Sequence, residues 1–146
     1  GQVEVKISGT HTLALTPEEA YRRMQDPTVL ASCMPGCEGL KETAPDEYKM
    51  KMKMALASLS GAFEGQVKIV DRNPPSGFKL IVEGKGKLGF MKGEGLLNFS
   101  PAAEGTEVAY DGDVQVGGTM AAVGQRLIDA TAKMMIKKFF EKLVAG

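Results

Sequence analysis

The sequence predicts an α+β fold in which a curved, seven-stranded antiparallel sheet packs against one long C-terminal helix. Between Cys37 and Val116, apolar and polar residues alternate with a period of two, and closely spaced turn signals interrupt the pattern. From Gly118 to about Val144 the apolar period becomes helical. Strands that are grouped together, rather than alternating with helices, indicate that the helices are segregated from the sheet.

The N-terminal part of the chain is predicted to form one strand and two short helices. Residues Gln2–Leu15 alternate as a strand, with a bulge expected near Gly9. The segment Thr16–Glu19 then has a capping box with proline at the first helical position. This helix should stop before Asp26-Pro27, because the residue before a proline avoids the helical region. The same pair should cap a second short helix over Thr28–Ala31.

The central part of the chain should contain six strands, which makes seven with the first. Glycine- and proline-rich turn signals separate them. These predicted turns are Ala44–Asp46, Ser60-Gly61, Asn73–Gly77, Gly84–Gly86 and Pro101–Gly105. The 146 residues are expected to form a single domain, residues 1–146.

Composition and charge exclude several functional classes. The 18 basic and 18 acidic residues cancel, whereas nucleic-acid binders usually carry a basic excess. No apolar run approaches the roughly 18–20 residues that span a bilayer. Hydrophobic residues make up 43% and charged residues 25% of the chain, as in ordinary globular proteins.

Few residues offer catalytic or metal chemistry, so no catalytic residue and no metal site are predicted. His11 is the single histidine and has no evident acid or nucleophile beside it. Cys33 and Cys37 are spaced C-x3-C, whereas redox pairs usually have two intervening residues. We therefore interpret both cysteines as free thiols. One histidine and two cysteines do not make a convincing ligand set for a metal.

The most informative stretch runs from Glu47 to Leu56. Its lysines alternate with Met50, Met52 and Met54, which should all point to one inner face. Methionine is flexible and fills irregular or variable shapes, whereas cores that specify one packing favour branched residues. The stretch alone is compatible with either a soft core or the wall of an adaptable apolar pocket.

The neighbouring strands and the last helix favour a cavity over a dry core. Each predicted strand has one apolar face, and Ala121 and Gly124 keep part of the helix thin. Tyr48, Tyr110, Thr131 and Asn98 are candidate polar anchors within it. The residues expected to line this cavity are Tyr48, Met50, Met52, Met54, Leu56, Phe63, Val67, Phe78, Leu80, Val82, Phe90, Met91, Leu97, Val108, Tyr110, Val123, Leu127, Thr131, Met134 and Met135.

The end of the last helix carries apolar residues nearly all round. Ile136, Phe140 and Leu143 should lie opposite the stripe that covers the sheet. They could pack on the first strand, contact a partner or touch a membrane, with lysines at the headgroups. The residues expected to contact a partner or membrane are Pro35, Gly36, Leu40, Ile136, Phe139 and Phe140.

Several segments resemble the CoxG family, one of the subunit families of carbon monoxide dehydrogenase. The specific ones are Pro35–Glu38 and Val116–Gly118 with the following Gly124-x-Arg126; Gly61-x-Phe63-x-Gly65 matches more loosely. The resemblance covers essentially the whole chain. It implies the START-like (SRPBCC) helix-grip fold, in which a seven-stranded sheet grips the C-terminal helix around a lipophilic tunnel.

The resemblance also implies a non-catalytic role beside molybdenum-containing carbon monoxide dehydrogenase at the cytoplasmic face of the inner membrane. A respiratory quinone, menaquinone or ubiquinone, is the expected ligand. Many family members carry a C-terminal apolar anchor that this sequence lacks, so it is expected to be either part of an anchored protein or a soluble member. Two alternatives stay open: a docking module for the dehydrogenase without ligand carriage, and a START-like cyclase or hydrolase.

Overall fold

A computed structural model describes residues 2–56 and 58–145. Its seven strands form one antiparallel sheet, as predicted, in the order β1-β7-β6-β5-β4-β3-β2. The strands are β1 Val3–Leu13, β2 Cys37–Ala44, β3 Glu47–Leu56, β4 Leu59–Asn73, β5 Gly77–Gly86, β6 Gly89–Ala102 and β7 Gly105–Gly117. Each strand from β2 to β7 pairs with its neighbour in sequence, and β1 closes onto β7.

The predicted bulge in β1 is wrong. The strand pairs with β7 without interruption, from Val3 opposite Val116 to Leu13 opposite Thr106. Position 9 requires glycine for a steric reason, because a Cβ there would lie 2.5 Å from the hydroxyl of Tyr110. Glycine thus makes room for a cross-strand aromatic ring and leaves the register intact.

Two of the five predicted turns are also wrong. Ser60-Gly61 lies inside β4, and Gly84–Gly86 lies at the end of β5. The connections fall after Leu56 and at Lys87-Leu88. Glycine signals turns because of its backbone freedom, but these glycines sit in extended strands where neighbours approach closely. A Cβ at Gly61, for example, would lie 3.2 Å from the side chain of Leu88.

Both N-terminal helices are capped as their sequences predict. Helix α1 spans Pro17–Arg23, and the hydroxyl of Thr16 accepts a hydrogen bond from the amide of Glu19 at 3.2 Å. Helix α2 spans Pro27–Cys33, and the carboxylate of Asp26 accepts one from the amide of Thr28 at 2.9 Å. Each cap satisfies an amide that has no partner within its helix.

The C-terminal segment is not one continuous helix. A 3₁₀ helix over Gly118–Val123 precedes helix α3, which spans Gln125–Ala145. Gly124 separates them with a φ of 99°, in the region that only glycine adopts easily. The break changes the phase of the apolar pattern between the two pieces.

Helix α3 therefore turns a different face to the sheet than the sequence suggested. The residues packed inward follow one helical stripe: Ile128, Ala132, Met135, Ile136, Phe139, Phe140 and Leu143. Leu127 and Met134, which were expected to cover the sheet, are 36% and 41% exposed. The stripe predicted from Met120 onward assumed a single helix, and the Gly124 break invalidates that extrapolation.

The interior divides into two hydrophobic clusters. The aromatic cluster contains Leu13, Ala20, Tyr21, Met24, Cys33, Tyr48, Ile69, Phe78, Leu97, Phe99, Val108, Phe139, Phe140 and Leu143. The methionine cluster contains Val5, Met52, Leu56, Phe63, Val116, Met120 and Ile128, with Met34, Met50, Met54, Met91 and Met135 packed against it.

Candidate ligand-binding cavity

A cavity of about 320 Å³ lies between α3 and the sheet, where the two clusters meet. Its walls come from the sheet, from α2 and α3, and from the residues that directly follow α1 and α2. The lining residues are Val5, Ile7, Met24, Leu30, Met34, Leu80, Met91, Gly95, Leu96, Leu97, Tyr110, Asp111, Gly112, Val114, Ala132, Met135, Ile136, Phe139 and Phe140.

The floor of the cavity is bare backbone. Gly95 on β6 and Gly112 on β7 pair directly, so that no side chain rises from the sheet at this point. A Cβ at Gly95 would find no heavy atom closer than 3.9 Å. The space is therefore open above Gly95, and a side chain added there would project into it.

Four methionines line the cavity, and they come from four different elements. Met24 follows α1, Met34 follows α2, Met91 belongs to β6 and Met135 to α3. Because methionine has three rotatable side-chain bonds and a polarizable sulfur, these walls can adapt to ligands of different shape.

The cavity holds almost no polar chemistry. Among the lining residues that the structure describes, Asp111 alone is charged, and it is exposed. The Tyr110 hydroxyl is the main polar group, and it lies against Gly9. Such a lining suits an apolar ligand with few polar anchors.

Five residues from the sequence-predicted lining border this cavity: Leu80, Met91, Leu97, Tyr110 and Met135. Other predicted lining residues pack into the aromatic and methionine clusters on either side of the cavity. Tyr48, Phe78 and Val108 belong to the aromatic cluster. The members or neighbours of the methionine cluster are Met50, Met52, Met54, Leu56, Phe63 and Val123. Val67 is also buried but does not line the cavity.

Three further predicted lining residues point away from the interior. Leu127 and Met134 are exposed on α3, and Phe90 is 36% exposed. Phe90 lies over Gly117 of the neighbouring strand, where a Cβ would overlap its ring, and Met91 is the residue that faces inward. Val82 is half-buried and borders a separate surface groove.

The remaining candidate anchors do not reach the cavity. Thr131 donates its hydroxyl hydrogen bond to the carbonyl of Leu127 at 2.9 Å, within its own helix. Asn98 is exposed, and the Tyr48 hydroxyl belongs to a buried side chain of the aromatic cluster. Burial, reinforced by the carboxylates of Glu42 and Asp46, raises the pKa of Tyr48, so its hydroxyl stays neutral.

Two of the six residues predicted to contact a partner or membrane are buried. Phe139 and Phe140 are buried in the aromatic cluster, and Ile136 lines the cavity. Leu40 packs against the same cluster. Gly36 is exposed but has a φ of 78°, and a Cβ there would collide with the carbonyl of Lys53. Pro35, beside it, is half-buried.

Sequence reasoning missed most of the lining, both within β6 and β7 and outside the central strands. The missed residues are Val5, Ile7, Met24, Leu30, Met34, Gly95, Leu96, Asp111, Gly112, Val114, Ala132, Ile136, Phe139 and Phe140. One available signal was that Gly93 and Gly95 alternate with Glu94 and Leu96, which places both glycines on the inner face. Inward glycines in consecutive strands indicate missing side-chain volume.

A second groove of about 360 Å³ adjoins the cavity at the edge of the sheet. It is lined by Lys6, Ile7, Ser8, His11, Tyr110, Lys133, Ile136 and Lys137. The ring of His11 stacks on Phe140, with 4.0 Å between ring centroids and 15° between planes. Partial burial lowers the pKa of His11, so the neutral imidazole is favoured.

The cysteines agree with the sequence interpretation. Cys33 and Cys37 are free thiols, as expected. Within residues 2–56 and 58–145, no three His, Cys, Asp or Glu side chains cluster as metal ligands would. No helix in this described part of the chain is long and apolar enough to cross a bilayer.

Comparisons with known structures support the fold. A conserved protein from Geobacillus kaustophilus is 32% identical, with a TM-score of 0.89 over 98% of this chain and 93% of that one. A protein from Chromobacterium violaceum is 20% identical, with a TM-score of 0.68 over 97% and 96% of the two chains.

A more distant neighbour establishes the architecture only. The di-domain ARO/CYC protein StfQ from the steffimycin biosynthetic pathway is 13% identical, with a TM-score of 0.63. The match covers 97% of this chain and 50% of StfQ, and it identifies the sheet and α3 as a helix-grip fold. The search of curated proteins found no match.

The family comparison is more specific. The family model of CoxG, a carbon monoxide dehydrogenase subunit, matches residues 9–145, which include β7, α3 and nearly all of the cavity lining. This family implies a role associated with carbon monoxide dehydrogenase. The chain belongs to the CoxG family of carbon monoxide dehydrogenase subunits.

Proposed function

We propose that this protein is a non-catalytic carrier that binds a respiratory quinone, menaquinone or ubiquinone, in the cavity between α3 and the sheet. It thereby links carbon monoxide dehydrogenase to the quinone pool at the cytoplasmic face of the membrane. The observation that carries the proposal is an apolar, methionine-walled cavity in a member of this family.

The size of the cavity supports a small apolar ligand or part of a longer one. Its volume of about 320 Å³ lies at the small end of the roughly 300–1,000 Å³ typical of ligand pockets. A long prenyl tail therefore exceeds the enclosed space, and only the segment nearest the ring would be held without movement of the walls. Met24, Met34, Met91 and Met135 supply walls that can move.

Apolar burial is sufficient to retain such a ligand. A prenyl unit has five carbons, and each buried CH2-sized group contributes about 0.8 kcal/mol. One buried unit thus contributes about 4 kcal/mol before the cost of ordering ligand and protein. A ring and one or two units would give measurable affinity without any charged anchor.

The partner in this proposal follows from the family, whose members are associated with carbon monoxide dehydrogenase. An enzyme that delivers electrons to a nearly water-insoluble quinone needs a means of bringing the two together. A helix-grip protein with an apolar cavity can meet that need, because it shields the quinone while exposing a polar surface. The cyclase or hydrolase alternative requires acid or base groups aimed inward, and among the described lining residues the sole charged one is the exposed Asp111.

The proposal is tested by filling the cavity from its bare floor. Gly95→Leu places a side chain where a Cβ meets no heavy atom within 3.9 Å, so the fold should tolerate it. Gly39→Leu on β2 is the matched control, because a Cβ there finds nothing within 4 Å and Gly39 is exposed. Both variants would be titrated with menaquinone carrying a two-unit prenyl tail, by calorimetry or by quenching of tyrosine fluorescence.

We expect Gly95→Leu to weaken binding at least about tenfold, which corresponds to roughly 1.4 kcal/mol. Gly39→Leu should bind as the parent chain does. Equal binding by both variants would place the ligand elsewhere. Failure of the parent chain to bind any quinone, together with stoichiometric binding to carbon monoxide dehydrogenase, would favour the docking module instead.

A further inference from the structure

The cavity shares a wall with the groove at the sheet edge. Among the described lining residues, Ile7, Tyr110 and Ile136 are common to both spaces. A surface groove of about 620 Å³ on the sheet, by contrast, has Met91 in common with the cavity and none of its other described lining residues. The cavity and the edge groove therefore meet at the seam between β1 and α3.

Opening at this seam would leave the sheet intact. Helix α3 packs on the face of the sheet, so its movement away from β1 breaks no sheet hydrogen bond, although it separates the stacked rings of His11 and Phe140. Helix α3 is held near both ends: Gln125 donates to the carbonyl of Glu4 at 2.7 Å, and Arg23 donates to that of Leu143 at 3.4 Å. The middle of the helix, around Ile136, lies between these attachments.

The groove outside the shared wall is rich in hydrogen-bond donors. Lys6, Lys133 and Lys137 carry ammonium groups, and none of the groove's described lining residues is a carboxylate. Lys6 and Lys137 make only long, exposed ion pairs, at 3.9 Å to Glu4 and 4.0 Å to Glu141. Such pairs are weak and leave the donors available to a ligand.

Lys133 adds a charge to this side of the groove, and His11 and Ser8 complete it. Among the residues that the structure describes, Lys133 has no acidic side chain within 4.0 Å. These donors match a polar group that only accepts hydrogen bonds, such as the carbonyl oxygens of a quinone or a carboxylate.

We infer that the ligand enters between β1 and the middle of α3 through a gate formed by Ile7, Tyr110 and Ile136. The acceptor-bearing end of the ligand stays outside the gate beside His11, Lys133 and Lys137, and the apolar part occupies the cavity. This inference rests on the proposed function and names the portal and polar-end site that it requires.

Association kinetics test the gate. Ile136→Ala shortens a side chain that must leave its apolar surroundings for the gate to open, so opening should become easier. We expect the association rate for the two-unit menaquinone to rise about tenfold, the equivalent of roughly 1.4 kcal/mol in the barrier. Ile7→Ala should also raise the association rate, and it provides a second test if Ile136→Ala is poorly folded.

Two control variants on α3 separate gating from lost contact. Met135 lines the cavity but not the groove, so Met135→Ala should raise the dissociation rate and leave the association rate unchanged. Met134 is exposed, and Met134→Ala should change neither rate. Stopped-flow quenching of tyrosine fluorescence can follow all four variants, because the chain has three tyrosines and no tryptophan.

The site of the polar end is tested with the double variant Lys133→Gln, Lys137→Gln and two probes. Decanoate carries a charged acceptor, and the short menaquinone carries neutral ones. We expect at least a tenfold loss of decanoate affinity, because two of the charges that face it are removed. A smaller loss, about threefold, is expected for the menaquinone, since glutamine retains donors but not charge. No change with either probe would overturn the polar-end site.

Different experimental results would contradict the proposed portal and the proposed function. If the parent chain binds no quinone, the proposed function is wrong. If it binds, but Ile7→Ala and Ile136→Ala both keep the parent association rate, the quinone enters elsewhere and only the portal is wrong.

Discussion

The two hydrophobic clusters both pack between the sheet and the helices but are built from different side chains. In the aromatic cluster, Tyr21 meets Phe78 and Phe99 edge-on, each with 5.7 Å between ring centroids. Phe139 and Phe140 also meet edge-on, at 5.4 Å. The methionine cluster has Phe63 as its one buried aromatic residue and is otherwise aliphatic or thioether.

The side chains of the two clusters give them different roles in the fold. Edge-to-face aromatic pairs have preferred geometries, and each contributes about 0.5–1.5 kcal/mol beyond its buried area. The aromatic cluster therefore fixes α1, α2 and the end of α3 against the sheet. Methionines have no such preference and can repack, which suits the adaptable cavity wall that the proposed function requires.

The largest expected effect compares one buried phenylalanine from each cluster. Phe78→Ala should lower the free energy of unfolding by about 3–5 kcal/mol, because rigid rings cannot collapse into the space. Phe63→Ala should cost less, about 3 kcal/mol, because Met50, Met52 and Met54 can move inward. Urea denaturation measures both. A loss for Phe63→Ala equal to or above that for Phe78→Ala would remove the distinction between the clusters.

A smaller effect is expected at the buried hydrogen bond that attaches β7 to the segment before α1. The hydroxyl of Thr106, fully buried, donates to the carbonyl of Leu15 at 2.7 Å. Thr106→Val keeps the shape but leaves that carbonyl without its partner, which should cost about 1–3 kcal/mol. Thr12→Val, at an exposed position of β1, is the control and should change stability little. Equal Tm values for the two variants would argue that the bond contributes nothing net.

A conservative exchange in the methionine cluster should have a still smaller effect on stability. Met52→Leu preserves volume and polarity, so the free energy of unfolding should change by less than about 1.5 kcal/mol. Leucine repacks less readily than methionine, and the rise in Tm caused by the short menaquinone should be smaller than in the parent chain. An unchanged rise would show that Met52 does not contribute to the adaptability of the walls.

The smallest expected effect is the pH dependence contributed by His11. Burial lowers its pKa in the folded chain from the ordinary value of 6.5. The unfolded chain therefore takes up the proton first, and the contribution of His11 to stability is lost as the pH falls through about 6.5. His11→Phe keeps an aromatic ring on Phe140 and should lack this dependence. Identical pH profiles of the two chains would contradict the lowered pKa.

Much of the fold could be predicted from local chemistry. Period-two alternation located the seven strands, and Thr16 and Asp26 marked the two short helices by the caps that they form. The errors arose at glycines, because glycine occurs both in turns and within strands that other groups approach closely. Gly61 and Gly86 were taken as turn residues, but close tertiary approach explains their presence within strands, and a local pattern carries no information on such contacts.

The cavity was harder to predict because it depends on the rotation of α3. A shift of one residue in helical phase turns the contact face by about 100°, since a turn contains 3.6 residues. The break at Gly124 introduced that shift, so Leu127 and Met134 were assigned inward while Phe139 and Phe140 were assigned outward. The sequence correctly predicted which face of β3 points inward. The methionines on that face, however, belong to the methionine cluster beside the cavity.

The central claim is that the cavity holds a prenylated quinone. Native mass spectrometry of protein purified from cells that contain carbon monoxide dehydrogenase and the quinone pool, followed by solvent extraction, tests it most directly. We predict an adduct with the mass of a prenylated quinone at close to one per chain, and its loss in Gly95→Leu but not in Gly39→Leu. A chain that stays empty after incubation with quinone, or an adduct that Gly95→Leu retains in full, would contradict the account.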